Sequence, residues 1–347
     1  MLVTEEQVLN SLKSVEDPDL KKDVVSLGFI KNLKIEGGRV SFELELTTPA
    51  CPMKAQLKTA AEEAVKRIEG VTEVNVEVTS NVPSHRIPGN EEILPGVKNI
   101  VAVASGKGGV GKSTVSVSLA VAMAKTGAKV GLLDTDIYGP SIPIMMGVTE
   151  KPEIRDNKLI PIVKYGVSLM SIGFLIPEDT PLIWRGPMVM KAVEQLLTDV
   201  EWGELDYLLM DLPPGTGDVQ LTLSQKVPLT GAVIVTTPQD VALLDVVRGI
   251  SMFRKLNVPI LGVVENMSFF SCPHCGGRSD IFSHGGGKAA SEKLDVPFLG
   301  EVPIDLKIRE GGDAGRPVSA DDSASPQSRV FMSLGEQLAA RISALGK

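Results

Sequence analysis

Two hydrophobic periods follow one another along the chain. In its first part apolar and polar residues alternate, with Val40, Phe42, Leu44 and Leu46 facing one way after a Gly37-Gly38 turn, the pattern of a half-buried hairpin strand. The spacing predicts a helix over 53–68 and a closing strand over 71–78, and Thr4 followed three residues later by Gln7 predicts a capping box at the start of a first helix. These elements make a small α+β unit over residues 1–80. A polar, proline-bearing stretch over 81–97 then reads as a linker.

From residue 98 the pattern changes to unbroken apolar runs. The first is Asn99-Ile-Val-Ala-Val-Ala-Ser105, and others cover 129–136, 206–214, 231–238, 259–267 and 298–303. Such runs suit strands buried on both faces of a parallel sheet. Helical spacing separates them, as over 114–125, so residues 98–347 are expected to form an α/β domain with a doubly wound, mostly parallel sheet. In such a sheet the functional residues gather at the carboxyl ends of the strands.

Composition narrows the classes. A chain of 347 residues is long enough for two domains, and no apolar run is long enough to span a bilayer. The first residues show neither a basic segment nor a signal-type apolar stretch, so a cytoplasmic protein is expected. A net charge of −8 argues against broad nucleic-acid binding. Three cysteines cannot build a disulfide framework and point to reactive or metal-binding use.

The chemistry begins at Gly106-Lys107-Gly108-Gly109-Val110-Gly111-Lys112-Ser113-Thr114, a glycine loop between an apolar strand and a helix. In that context backbone N–H groups surround nucleotide phosphates, the Lys112 ammonium meets the β/γ oxygens and the Ser113 hydroxyl serves Mg²⁺. Lys107 sits at the opposite end of the loop, poorly placed for the phosphates its own loop encloses, and is expected to point at a neighbouring subunit. The second strand delivers Asp134 and Asp136, where a carboxylate orients the water that attacks a γ-phosphate. The third ends Leu208-Leu209-Met210-Asp211, the placement of a Mg²⁺-associated carboxylate, and Pro213-Pro214-Gly215-Thr216-Gly217-Asp218 follows as a loop able to move with the γ-phosphate. One aspartate at a strand end is usually a cap or turn residue, but three after a phosphate loop read as a catalytic set.

Cys272-Pro273-His274-Cys275 supplies two thiolates, whereas a closed tetrahedral zinc site or a [4Fe–4S] cluster needs four ligands. The chain therefore carries half a site. By ligand type zinc and an iron–sulfur cluster are equally consistent, and a redox disulfide is the weaker reading because the pair lies in a glycine-rich loop. His274 and His284 read as solvated loop residues in preference to ligands. Cys51 precedes a helix start, where the macrodipole favours thiolate, yet a lone cysteine is as often a small apolar residue.

Four segments together resemble the deviant Walker A ATPases, which include the nitrogenase iron protein, the Min and Par positioning ATPases and the Mrp/ApbC-type iron–sulfur carriers. They are Gly106 to Thr114, the stretch 133–141 reading Leu-Asp-Thr-Asp-Ile-Tyr-Gly-Pro-Ser, the stretch 210–218 reading Met-Asp-Leu-Pro-Pro-Gly-Thr-Gly-Asp, and Asn266-Met267. All are most similar to the Mrp/ApbC branch. The amino-terminal unit, with Asp17-Pro18 and a Thr-Thr-Pro-Ala-Cys-Pro run ending at Pro52, resembles the MIP18-type domain often fused to it. The resemblance implies a homodimer that sandwiches two ATP molecules, with Lys107 of each subunit reaching the other's phosphates and Asp136 positioning the hydrolytic water. It implies that Asn266, Pro303 and Asp305 surround the adenine, and that the two cysteine pairs hold a bridging [4Fe–4S] cluster passed between cluster donors and apo iron–sulfur proteins. The closing stretch, with Val330, Phe331, Leu334, Leu338, Ile342 and Leu345 at helical spacing near Arg329, Arg341 and Lys347, is the rival signal. It suits either the membrane-surface helix of a positioning ATPase or, preferred here, a helix packed on its own sheet, so no stable membrane association is expected.

Overall fold

A computed structural model of the chain describes residues 3–18, 20–85, 94–137, 139–175, 186–215 and 217–345. Residues 86–93 of the expected linker, Tyr138, Thr216 and Lys347 lie outside the described residues, as does the side chain of Asp218. The chain divides into two compact units, one made of Met1–Pro83 with Ala339–Lys347 and the other of Ser84–Leu338.

In the first unit, helix α1 (Glu5–Leu12) opens with the expected reciprocal cap. The Thr4 hydroxyl accepts from the Gln7 amide at 3.3 Å, and the Gln7 side chain accepts from the Thr4 amide at 3.0 Å. Strand β1 (Ile30–Glu36) runs antiparallel to β2 (Arg39–Leu46), which pairs in parallel with β3 (Glu73–Ser80) after the crossover helix α2 (Lys54–Lys66). The alternation read in the sequence is the alternation of burial: Val40, Phe42, Leu44 and Leu46 face the core, where Leu57, Ala61 and Val65 of α2 meet them.

The second unit is built on a nine-stranded sheet. Its strands are β4 (Val97–Ser105), β5 (Val130–Asp134), β6 (Ile162–Lys164), β7 (Val167–Ser171), β8 (Leu205–Asp211), β9 (Gly231–Thr236), β10 (Ile260–Ser271), β11 (Arg278–Ser279) and β12 (Phe298–Ile304). The order is β6-β7-β5-β8-β4-β9-β10-β11, with β12 also on β10. Only β6 against β7 and β11 against β10 are antiparallel. The sheet is thus doubly wound and mostly parallel, as expected. Residues 208–211 of β8 are fully buried, which is why that strand reads as a continuous apolar run closed by an acid. The longer helices of the unit are α3 (Lys112–Lys125), α4 (Gly186–Thr198), α5 (Asp218–Lys226), α6 (Asp240–Lys255), α7 (Gly286–Leu294), α8 (Leu306–Asp313) and α9 (Pro326–Ser343), whose last residues, from Ala339, belong to the first unit. Helix α3 is buried at every position from Val115 to Met123 and so is apolar or small all round rather than on one stripe.

The structure adds what periodicity missed. β7 joins the sheet beside β5, and β10 continues four residues beyond the expected end of the 259–267 strand, to Ser271. Along α9, Phe331, Leu334, Leu338 and Ile342 are buried, so the apolar stripe packs inward. Among the described residues no helix is long and apolar enough to cross a membrane.

Candidate functional site

β4 ends at Ser105 and α3 starts at Lys112, and the six residues between them wrap a cavity of about 270 Å³ lined by Lys107 to Thr114 together with Asp136, Ser141 and Pro214. Two of its glycines are obligatory. A Cβ on Gly106 would stand 2.2 Å from the Asp245 Cβ, and one on Gly111, whose φ is +80°, would stand 2.1 Å from the Asn266 Nδ2. Gly108 and Gly109 have open space before them, which leaves their backbone free to approach a ligand. The cavity is therefore lined by main chain at the N-terminus of a buried helix, where unpaired N–H groups and the helix dipole favour an anion.

Lys112 is buried, and its Nζ lies 2.6 Å from Asp211 Oδ2 and 3.7 Å from Asp136 Oδ2. The Ser113 hydroxyl donates to the same Asp211 oxygen at 2.7 Å, and the Ser116 hydroxyl donates to the other. Asp211 is thus tied to the lysine and to the hydroxyl expected to serve Mg²⁺. Asp134 stands beside it in register on the neighbouring strand. Burial, and next the Asp211 charge, push the Asp134 carboxyl up to about 7, against the hydrogen bond from Ser171. Ser171 Oγ donates to Asp134 Oδ2 at 2.9 Å and the Asp136 amide donates to Oδ1 at 3.1 Å. Asp134 lies behind the cavity and holds the backbone of Asp136, which lines it. Ser116 and Ser171 carry no motif signal and emerge only from the packing.

β10 links this loop to the cysteines. Asn266 Nδ2 donates to the Val110 carbonyl at 2.8 Å, so the residue grips the loop through its main chain. The next residue, Met267, has φ +55°, and the register against β12 shifts between Asn266 and Phe270. The strand then reaches Cys272. There a tight hairpin closes, with the Cys272 amide donating to the Gly277 carbonyl and the Gly276 amide to the Cys272 carbonyl, both at 2.9 Å. N–H groups of His274 and then Cys275 turn toward the Cys272 sulfur and hold its thiol below its ordinary value. Amides aimed at sulfur suit a thiolate ligand, so the hairpin fits a metal or cluster on chemical grounds. None of the three cysteines forms a disulfide, Cys275 is exposed, and Cys51 packs against the apolar core of the first unit.

Pro303 and Asp305 lie off the glycine loop. They line a second cavity, of about 620 Å³, shared with Phe270, Cys272 and Pro273. The Asp305 carboxylate caps α8 by accepting from the Lys307 amide at 2.7 Å and is held by Gln327 Nε2 at 2.7 Å. His284 turns toward Arg278 and Ser268, and His274 is exposed in the hairpin.

Comparison with known proteins agrees with this geometry. Residues 96–339 match the family model described as NUBPL iron-transfer P-loop NTPase, and residues 5–78 match that of an iron–sulfur cluster assembly protein. The chain is 48% identical over 348 aligned residues to the iron–sulfur cluster carrier protein of Synechocystis, covering 99% of both. It is 53% identical to the iron–sulfur cluster transfer protein NUBPL of Dictyostelium discoideum over 73% of this chain and 80% of that one. Among solved structures, the nucleotide-binding protein of Archaeoglobus fulgidus in complex with ADP aligns at 42% identity and TM-score 0.61, covering 67% of this chain and 93% of that one. The cell-division ATPase MinD of Pyrococcus furiosus, at 24% identity and TM-score 0.52, shares the fold.

Proposed function

The chain belongs to the NUBPL iron-transfer P-loop NTPase family, and from that membership we propose that it is an ATP-dependent iron–sulfur cluster carrier. Its cargo in this reading is a [4Fe–4S] cluster, bound between the cysteine pairs of two subunits and passed to apo iron–sulfur proteins. The observation that carries the proposal is the continuity of β10, which touches the phosphate loop at Asn266 and presents Cys272 at its end.

The residues divide the work by position. The glycine loop 106–111 offers its amides to the phosphates of ATP, with Lys112 against the β/γ oxygens and the Ser113 hydroxyl and Asp211 directed at one spot, where Mg²⁺ would be held. Mg²⁺ supplies charge neutralisation on the phosphates when bound. Asp136 faces the cavity and orients the attacking water, while Asp134 fixes the Asp136 backbone from behind. Lys107 serves the partner's site in a homodimer, and Asn266, Pro303 and Asp305 receive the base. Hydrolysis in this arrangement is slow, because the loops report the γ-phosphate as much as they cleave it.

Anaerobic reconstitution followed by iron, sulfide and zinc analysis, an absorption spectrum and transfer to an apo acceptor tests the proposal. Four iron and four sulfide per dimer, with transfer altered by ATP, is the expected result. Zinc alone at the cysteines would replace the carrier reading with a zinc-binding regulatory ATPase. The buried stripe of α9 leaves a membrane-positioning ATPase without its targeting face.

A further inference from the structure

Glu265 precedes Asn266 on β10 and is fully buried. Its Oε1 accepts from the Ser268 hydroxyl at 2.6 Å and from the Gly285 amide at 3.1 Å, and its Oε2 accepts from the Gly287 amide. The carboxylate is thus bound to the first turn of α7, whose unpaired amides favour a negative charge. Glu265, His284 and Glu301 bring one ligand atom each within 4.8 Å of one another, a spacing suited to a cation. Arg278 meets the imidazole of this group from its exposed side. One terminal nitrogen of Arg278 is 2.7 Å from His284 Nδ1 and 3.1 Å from Nε2, and Glu301 lies 3.8 Å from His284 Nε2.

Arg278 also closes the cysteine hairpin. As the first residue of β11 it pairs with Ser271, the residue before Cys272, and its guanidinium carbon lies 4.1 Å over the Phe269 ring. Its Nε donates to Asp280 at 3.1 Å. Only two ladder pairs, Phe270 with Ser279 and Ser271 with Arg278, join β11 to the sheet. So short a ribbon does not hold its own orientation. The guanidinium supplies what the ladder lacks, gripping an aromatic face and an imidazole on one side of the turn.

We propose that Arg278 and His284 are positioning residues that clamp the Cys272–Cys275 hairpin to β10, so that the clamp sets how firmly the two thiolates are presented to a metal or cluster. The clamp bears on Glu265 through Ser268 and α7, next to the residue that grips the phosphate loop. The identity of the cargo rests on the carrier reading, but the clamp does not, because a metal ion alone probes it.

The test titrates Co²⁺ into the reduced, metal-free full chain and follows the thiolate-to-cobalt charge-transfer band. Arg278→Gln and His284→Ala are each expected to weaken Co²⁺ binding by about two- to fivefold, the loss of an exposed cation–π contact, with the final band intensity unchanged. Arg278→Lys is expected not to rescue, since an ammonium cannot lie flat on Phe269 and reach His284 together. The double variant is expected to lose no more than Arg278→Gln alone. Unchanged Co²⁺ affinity in Arg278→Gln, full rescue by lysine, or additive losses would each overturn the clamp. Nucleotide affinity is the second readout: a parallel loss there would give the pair a general structural role and also overturn it. If cobalt behaves as expected while reconstitution yields no cluster, the clamp stands and the carrier reading falls. A cluster that forms and transfers beside unchanged cobalt affinity has the reverse meaning.

Discussion

Asp134 holds a proton near neutrality because burial and the Asp211 charge raise its carboxyl to about 7. An unfolded aspartate titrates near about 4, so between those values the folded chain keeps a proton the unfolded chain has released. The stability from that proton is complete below about pH 4 and is lost as the pH rises through 7, on the order of a few kcal/mol across the window. Asp134→Asn is neutral throughout, and the fall in its apparent unfolding temperature between about pH 5 and about pH 8 is expected to be shallower than in the wild type. An equally steep fall would place the pH dependence on another group. Gly111→Ala brings a methyl onto Asn266 Nδ2 at a left-handed backbone position, and isothermal titration should show its ATP affinity reduced by about tenfold or more. Wild-type affinity would mean the loop relaxes around the added carbon. The glycines, Lys112 and the aspartates were legible in the sequence because a phosphate site is written in a short contiguous motif. Ser171, Glu265 and Arg278 were not: Ser171 acts through Asp134, far off in the chain, while Glu265 and Arg278 act through the nearby Ser268 and His284 in an irregular stretch that matches no motif.

At the scale of elements the informative strand is β10. Its expected end near Met267 was a reading of hydropathy, and the backbone does change there: Met267 takes a positive φ and the register shifts. Phe270 nevertheless carries pairing on to Ser271, so the sheet runs up to the residue before Cys272 and the cysteines sit in a turn fixed directly to its end. β7 escaped notice because its five residues, Val-Ser-Leu-Met-Ser, are short and mixed, and gain strand character only beside β5. Since Asn266 lies within β10 and Cys272 just past its end, and the two touch different partners, their functions are separable. Cys272→Ala and Cys275→Ala are each expected to abolish stable cluster binding, read as iron per chain after desalting, while ATP affinity stays within about twofold. A full four-iron cluster per subunit in either variant would sink the bridging arrangement.

For the molecule as a whole the proposed homodimer is tested through Lys107. If Lys107 serves only its own loop, Lys107→Ala should weaken ATP binding much as Lys112→Ala does. If it reaches across, Lys107→Ala binds nucleotide yet loses ATP-dependent dimer tightening and most hydrolysis. Verified heterodimers of Lys107→Ala with Asp136→Asn then contain one site with both groups changed and one with both intact, so about half the wild-type turnover is expected. No turnover in such heterodimers would count against the crossed arrangement for independently working sites. The division into units carries a further consequence, for synthesis. The first unit is discontinuous: it opens the chain, yet Ala339–Lys347 belong to it, with the Ser343 hydroxyl donating to the Thr47 carbonyl. A ribosome therefore releases residues 3–83 of this unit incomplete and must translate the sheet domain before its remaining piece emerges, so the unit begun before the sheet domain is finished after it.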